Sequence, residues 1–126
     1  MSCKVSARTE DYLKCIYFLE ITYGRARVKD LSLRLGIRPS SVIDYLKRLS
    51  REGYITYKPG GKIKLTDKGR EIASRVYEKH LLIKEFLLSL GVPEDIAEQD
   101  ACYIEHGIHE TTLQKIREFL ENRYNK

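Results

Sequence analysis

Three residues in the last third of the chain carry side chains that bind transition metals. Cys102, Glu105 and His106 are spaced so that a helix would place all three on one side. A thiolate, a carboxylate and an imidazole are all ligands of divalent first-row metals. A cysteine is equally often a small buried hydrophobe, and a Glu-His pair is often a surface feature. The spacing therefore indicates a metal site only if other helices supply further ligands.

The charge along the chain separates into two regions. Residues 85–114 contain seven acidic residues and no lysine or arginine, although the whole chain has a net charge of +5. Residues 25–64 contain 11 lysines and arginines against three acidic residues. The acidic region is suited to a cation, and the basic region is suited to a polyanion.

The basic region has the order of elements that is typical of a winged helix-turn-helix. The pattern predicts a short helix over Val28–Leu35, a turn at Gly36, and a second helix that begins near Pro39. Two strand-like runs follow at 54–58 and 62–66, separated by a Pro-Gly-Gly turn. Such a unit presents its second helix to the major groove of DNA.

The outer face of this second helix is predicted to be polar and basic. Ser41, Asp44 and Arg48 share that face, and Ser40 with Ser41 could hold a phosphate at the helix start. Asp44 could accept a hydrogen bond from a cytosine amino group or pair with Arg48. A merely solvated basic face is the alternative, but the element order and the charge favour DNA binding. The predicted DNA contacts are Arg27, Arg38, Ser40, Ser41, Asp44, Tyr45, Lys47, Arg48, Lys58, Lys62 and Lys64.

Helices are predicted on both sides of this unit. The first opens at Thr9-Glu10-Asp11 and runs to about Ile21. A long helix capped by Thr66 or Asp67 reaches about Leu90, and two more cover about 93–108 and 110–124. The predicted fold class is therefore mainly α, with a winged helix-turn-helix domain over 1–68 and a helical domain over 69–126.

Several classes of protein are not expected. No apolar run approaches the roughly 18 residues of a membrane span. The three cysteines, Cys3, Cys15 and Cys102, are odd in number and irregular in spacing, which favours a reducing cytoplasm over a disulfide framework. Cys15 lies among apolar positions and is predicted to be a core residue. No catalytic constellation is evident, so an enzyme is not expected.

The chain as a whole resembles the diphtheria-toxin repressor family of iron- and manganese-dependent regulators. The resemblance implies a homodimeric, metal-dependent repressor that binds a palindromic operator in double-stranded DNA. The absence of a C-terminal SH3-like module makes it similar to the short, manganese-regulator form. The resemblance rests on Glu10-Asp11-Tyr12-Leu13 with Ile16-Tyr17, Arg38-Pro39-Ser40-Ser41-Val42, Leu65-Thr66-Asp67-Lys68-Gly69, Lys79-His80, and Ala101-Cys102-Tyr103-Ile104-Glu105-His106.

The resemblance also implies the ligands. The primary metal site of the family falls on Asp11, Cys102, Glu105 and His106, and its second metal position uses the residue at His80.

Acids that the second site needs in the family are replaced here. Lys14 and Lys84 stand where acidic residues are expected, and Glu98 stands where the longer iron-type members have a histidine. Two lysines would repel a second ion. We therefore predict one metal per protomer, with His80 as a weak ligand or a hydrogen-bond partner. A two-metal site that recruits Glu98 is the alternative.

Fe(II) or Mn(II) is the metal that the resemblance implies, with Co(II), Ni(II) and Zn(II) as further possibilities. The thiolate of Cys102 favours Fe(II), Co(II), Ni(II) or Zn(II) over Mn(II). The metal is expected to join the first helix, through Asp11, to the helix of Cys102. This would fix the spacing of the two DNA-reading helices of a dimer.

The resemblance implies a homodimer through the last two helices, and the apolar face of the last helix, which carries Leu113, Ile116 and Phe119, fits this arrangement. Alternatively, this helix packs back on its own core. Two rival functions stay open. One is a metal-independent DNA-binding regulator in which Lys14 has inactivated the sensor, and the other is a metal-using enzyme.

Overall fold

Six helices and one two-stranded sheet make up residues 5–124, the part of the chain that the computed structural model describes. The mainly α fold predicted from the sequence is confirmed. The chain divides into two units, Met1–Arg75 and Val76–Lys126. The elements in chain order are α1 (Ala7–Tyr23), α2 (Val28–Leu35), α3 (Pro39–Arg51), β1 (Ile55–Tyr57), β2 (Ile63–Leu65), α4 (Asp67–Ser89), α5 (Glu94–Ile104) and α6 (Glu110–Tyr124).

The core of the first unit is formed by the apolar faces of its helices. Residues three and four apart in α1 and α3 point the same way, and these positions are apolar. Gly36 lies between α2 and α3 with φ +67°, and its N–H donates to the Ser32 carbonyl oxygen. This turn brings α3 back against α1 and leaves the other face of α3 in solvent. The buried residues of this core include Leu13, Ile16, Leu19, Leu31, Val42, Leu46 and Leu49.

The wing is the antiparallel pair β1 and β2. Ile55 pairs with Leu65, and Tyr57 pairs with Ile63. Ile63 and Leu65 are buried while Lys64 between them is exposed, as the period of two along a strand requires. Ala26 forms an additional bridge to Ile63, which ties the α1–α2 connection to the wing.

The start of α4 is fixed to the end of α3 by Thr66 and Gly69. The Thr66 hydroxyl accepts from the Gly69 N–H at 3.1 Å, which caps the helix, and donates to the Gly53 carbonyl oxygen at 2.7 Å. A Cβ at residue 69 would lie 2.0 Å from the Tyr54 carbonyl oxygen. Only glycine permits this approach. The domain boundary expected after residue 68 lies in the first turn of α4, and the two units part further along the same helix.

The second unit contains the rest of α4 with α5 and α6. Ile83, Ala101 and Leu113, one from each helix, form its buried core. Phe86 and Phe119 pack edge to face with ring centroids 5.6 Å apart. Within residues 5–124, no helix has the length and apolarity needed to cross a membrane.

The face of α6 expected to dimerise is largely internal. Leu113 is 2% exposed and Ile116 is 9% exposed, because α6 packs on its own unit. Of the three residues expected there, Phe119 is the exposed one, at 45%. The exposed apolar residues of this unit are Leu81, Leu88, Leu90, Ile96, Tyr103, Ile104 and Phe119.

Three helix ends differ from the sequence prediction, one of them the end of α1, which lies at Tyr23 and not at Ile21. The first helix begins at Ala7 and not at Thr9, because the Ser6 hydroxyl accepts from the Thr9 N–H at 3.1 Å and caps the helix earlier. The fifth helix ends at Ile104 and not at Ile108. Glu105 keeps helical dihedral angles and bonds back to Ala101, and the Gly107 N–H then closes a tighter turn on the Ile104 carbonyl oxygen.

Candidate metal centre and nucleic-acid interface

Helices α4 and α5 bring three metal-binding side chains together. His80 lies on α4, Cys102 on α5, and Glu105 at the end of α5, and their ligand atoms lie within 4.8 Å of one another. His80 Nδ1 is 2.7 Å from Glu105 Oε1 and 3.8 Å from Cys102 Sγ. The imidazole, the thiol and the carboxyl group therefore converge on one point.

Two of the three side chains in this cluster are buried although they are polar or ionisable. The side chain of Glu105 is 0% exposed, and that of His80 is 6% exposed. A carboxylate removed from water needs partners for both oxygens. Oε1 faces His80, and Oε2 lies 3.6 Å from Nε2 of His106. Two imidazoles therefore flank one buried carboxyl group.

The second nitrogen of His80 starts a further chain of contacts. His80 Nε2 is 2.6 Å from Oε2 of Glu98. Lys84 Nζ lies 3.6 Å from the same oxygen and 3.5 Å from Oε1 of Glu94. His80 is thus held from both sides, and its Nδ1 faces the thiol and the buried carboxyl group.

The donor set fits a divalent first-row metal ion. Such an ion bonds nitrogen, oxygen and sulfur ligands at about 2.0 to 2.3 Å, so neighbouring ligands in a tetrahedral shell are roughly 3.3 to 3.8 Å apart. His80 Nδ1 and Cys102 Sγ have this spacing, at 3.8 Å. The 2.7 Å contact between His80 and Glu105 is a hydrogen bond, whose proton an ion would replace.

Four of the five residues that the sequence assigned to the metal lie in the second unit. Cys102, Glu105 and His80 lie in one cluster, and His106 contacts Glu105. Asp11 lies on α1, in the first unit, and is partly exposed.

The sequence analysis did not predict that Glu98 would contact both Lys84 and His80. Glu94, Glu98, Cys102 and Glu105 follow one another at intervals of four, four and three residues. This spacing places them along one face of α5. The sequence could therefore have predicted that the acidic residues lie on the same face as Cys102.

The predicted DNA contacts lie almost entirely in solvent. On α3 and in the residue before it the exposed side chains, apart from Pro39, are polar or charged, and the three lysines of the wing are exposed as well. The exposed members of the predicted set are Arg27, Arg38, Ser40, Ser41, Asp44, Lys47, Arg48, Lys58, Lys62 and Lys64.

Tyr45 differs from the rest of this set. Its hydroxyl is 2.6 Å from Thr9 Oγ1, and its ring stacks on Tyr12 with centroids 4.4 Å apart. Its side chain therefore joins α3 to α1. Arg48 forms a different salt bridge from the one that was considered with Asp44. Arg48 Nε pairs with Glu52 Oε1 at 3.1 Å, one turn in the opposite direction along the helix.

A basic cavity of about 1050 Å³ lies between the wing and the α1–α2 connection. The Ala26–Ile63 bridge holds Arg25 and Arg27 beside the wing lysines. Arg70 also lines the cavity and pairs with Glu20 at 3.2 Å. Arg25 and Arg70 were not among the predicted DNA contacts, although Arg25 belongs to the basic segment 25–64.

Cys15 is part of the core, as predicted. Its side chain is 6% exposed among apolar residues of the first unit. Burial raises the pKa of the Cys15 thiol to about 11. Metals bind the thiolate form, so Cys15 remains a structural thiol near neutral pH.

Comparison with known proteins gives matches over nearly the whole chain. The model of the iron dependent repressor N-terminal DNA binding domain matches residues 4–62. The model of the iron dependent repressor metal binding and dimerisation domain matches residues 66–125.

Individual relatives agree with the family models. An uncharacterised helix-turn-helix transcriptional regulator of Methanocaldococcus jannaschii is 37% identical over 97% of this chain and 99% of its own length. The transcriptional regulator MntR of Lysinibacillus sphaericus is 32% identical over 89% of this chain and 81% of its own length. A solved manganese-dependent transcriptional repressor in complex with manganese is 27% identical, with a TM-score of 0.80. The match covers 90% of this chain but only 52% of the chain of that repressor.

Proposed function

Because this chain belongs to the family of iron-dependent repressors, we propose that a divalent metal bound by His80, Cys102 and Glu105 activates it for DNA binding. The family consists of metal-dependent, DNA-binding transcriptional repressors and not of enzymes. The observation that carries the proposal is the convergence of a buried imidazole, a half-buried thiol and a buried carboxyl group from two helices. The bound metal supplies positive charge and geometric order, and the protein performs no bond chemistry.

The proposed ligands are His80 Nδ1, Cys102 Sγ and a Glu105 carboxylate oxygen. His106 is included because its Nε2 lies 3.6 Å from the second oxygen of Glu105. Asp11 enters the proposal through the sequence resemblance, as the ligand that connects α1 to the bound metal. Glu98 accepts from His80 Nε2–H, and this contact leaves the Nδ1 lone pair for the ion.

Fe(II) is the metal we propose, in preference to Mn(II). A thiolate is a soft ligand, and Mn(II) prefers oxygen donors. The similar solved repressor is in complex with manganese, and Cys102 is the residue that makes a different preference reasonable here. Co(II) is a suitable probe because it accepts the same mixed donor set.

The DNA target is proposed to be a palindromic operator bound by a homodimer. The exposed face of α3 would read bases, and the wing lysines with Arg25 and Arg27 would contact phosphates. The exposed apolar residues of the second unit, Leu88 and Phe119 among them, are the surface proposed to bury against a second copy. Action on DNA in this way also implies a cytoplasmic location.

The test is DNA binding measured with and without metal. Duplexes selected from a random pool in the presence of Co(II) provide the operator, and fluorescence anisotropy then gives its Kd. We expect binding at least about tenfold tighter with Co(II) or Fe(II), which corresponds to about 1.4 kcal/mol of coupling. Glu105→Gln should abolish this enhancement. Asp100→Asn, the loss of an exposed carboxylate on α5, should preserve it.

Two outcomes would contradict the proposal. Equal affinity with and without metal would favour the metal-independent regulator. Enhancement that survives in Glu105→Gln would place the metal elsewhere.

A further inference from the structure

Lys84 is a positive charge placed beside the proposed metal centre. It lies one turn after His80 on α4 and is the last basic residue before the cation-free stretch 85–114. Its Nζ is 3.5 Å from Glu94 Oε1 and 3.6 Å from Glu98 Oε2. Its side chain is only 23% exposed, so the ammonium group is held against these carboxylates.

The surroundings of this ammonium group are those of a cation site. Two carboxylate oxygens, from Glu94 and Glu98, face it from α5. The Glu98 oxygen that contacts Lys84 is also the oxygen that His80 Nε2 contacts at 2.6 Å. Without the lysine, the carboxylates of Glu94 and Glu98 would be available to one metal ion.

We propose that Lys84 is a built-in cation that occupies the place of a second metal ion and keeps the centre mononuclear. This inference rests on the proposed function, in which His80, Cys102 and Glu105 hold one ion. An ammonium group at this place repels a second divalent ion. It also uses the Glu94 and Glu98 oxygens that such an ion would need.

Lys84 also has a positioning role toward the first ion. By attracting Glu98, it holds the carboxylate that accepts from His80 Nε2–H. That hydrogen bond fixes the ring orientation in which Nδ1 faces Cys102 and Glu105. One lysine therefore excludes one ion and helps to orient a ligand of the other.

The experiment counts bound metal ions. The purified protein is dialysed against a saturating concentration of Co(II), and elemental mass spectrometry gives the number of Co(II) ions per protomer. Wild type is expected to bind one ion and Lys84→Glu two, because the substitution removes a cation and adds a carboxylate. Lys115→Glu is the matched control. Lys115 is also paired with a glutamate, Glu118 at 3.6 Å on α6, and this variant should bind one ion.

The outcomes separate the two proposals. One ion in both wild type and a folded Lys84→Glu would overturn the inference and leave the proposed function intact. Two ions in wild type would also overturn the inference. No ion in wild type would instead overturn the proposed function, and the inference with it. If Lys84→Glu does not fold, Lys84→Gln decides the question. It should bind a second ion more weakly than the first, and a single ion there overturns the inference.

Discussion

His80→Ala is expected to destabilise the metal-free protein by about 3 kcal/mol. His80 Nδ1 is 2.7 Å from Oε1 of Glu105, whose side chain is 0% exposed. Removing one partner of a buried ion pair typically costs about 3 to 5 kcal/mol, because the other group stays buried without compensation. We expect the lower end, since His106 Nε2 still lies 3.6 Å from the second oxygen of Glu105. For a chain of this size the corresponding decrease in Tm is about 12 °C.

A double-mutant cycle isolates this contribution from the loss of packing. Wild type, His80→Ala, Glu105→Gln and the double variant are unfolded with urea in a metal chelator, and circular dichroism follows the transition. In the Glu105→Gln background, His80→Ala should cost only about 1 kcal/mol, because only an ordinary hydrogen bond to a neutral amide is lost. His109→Ala, which removes an exposed histidine, should change stability by less than about 0.5 kcal/mol.

The coupling energy decides the outcome. A value near 2 kcal/mol supports the pairing of His80 with Glu105 in the folded protein. A value below about 0.5 kcal/mol would refute the reasoning, because the cost of His80→Ala would then come from packing alone.

Three further predictions concern the metal and the DNA. Cys102→Glu should shift metal preference from Fe(II) and Co(II) toward Mn(II), measured as the ratio of their Kd values, and an unchanged ratio would contradict the role of the thiolate. Lys62→Ala should weaken DNA binding similarly for all sequences and reduce the slope of log K against log salt by about one. A change confined to one operator sequence would assign Lys62 to base recognition. In a Cys3→Ser background at pH 8, a thiol reagent should label Cys102 but not Cys15, because burial raises the pKa of the Cys15 thiol to about 11. Added metal should protect Cys102, and equal labelling with and without metal would argue against ligation.

Local patterns were sufficient to predict the elements of the first unit, apart from the exact ends of α1. The limits of α2 were predicted at Val28 and Leu35, and both strands were predicted in the correct segments. These elements are predicted by apolar periods of 3.6 and 2 residues and by the turns at Gly36 and Pro-Gly-Gly. Both signals depend only on neighbouring residues along the chain. The same is true of α6, which was predicted over its full length.

Contacts between distant residues could not be read in this way. Tyr45 was assigned to DNA on its position along α3, but its partner Thr9 lies 36 residues away. His80 was assigned through the resemblance, and its partner Glu98 lies 18 residues away. The sequence shows which side chains share a helix face. How the helices pack decides which helix faces contact each other, and therefore which residues become hydrogen-bond partners.

The contact between Thr9 and Tyr45 also bears on how a signal could reach DNA. The two hydroxyl groups are 2.6 Å apart, and the Tyr45 ring stacks on Tyr12 of the same helix as Thr9. Helix α3, which we propose contacts DNA, is therefore joined to the first turns of α1, and a rotation of α3 about its own axis would disrupt both contacts. Asp11 lies between Thr9 and Tyr12 along the chain. A displacement of α1 at Asp11 would therefore move the same turn that contacts Tyr45 and would change the orientation of α3.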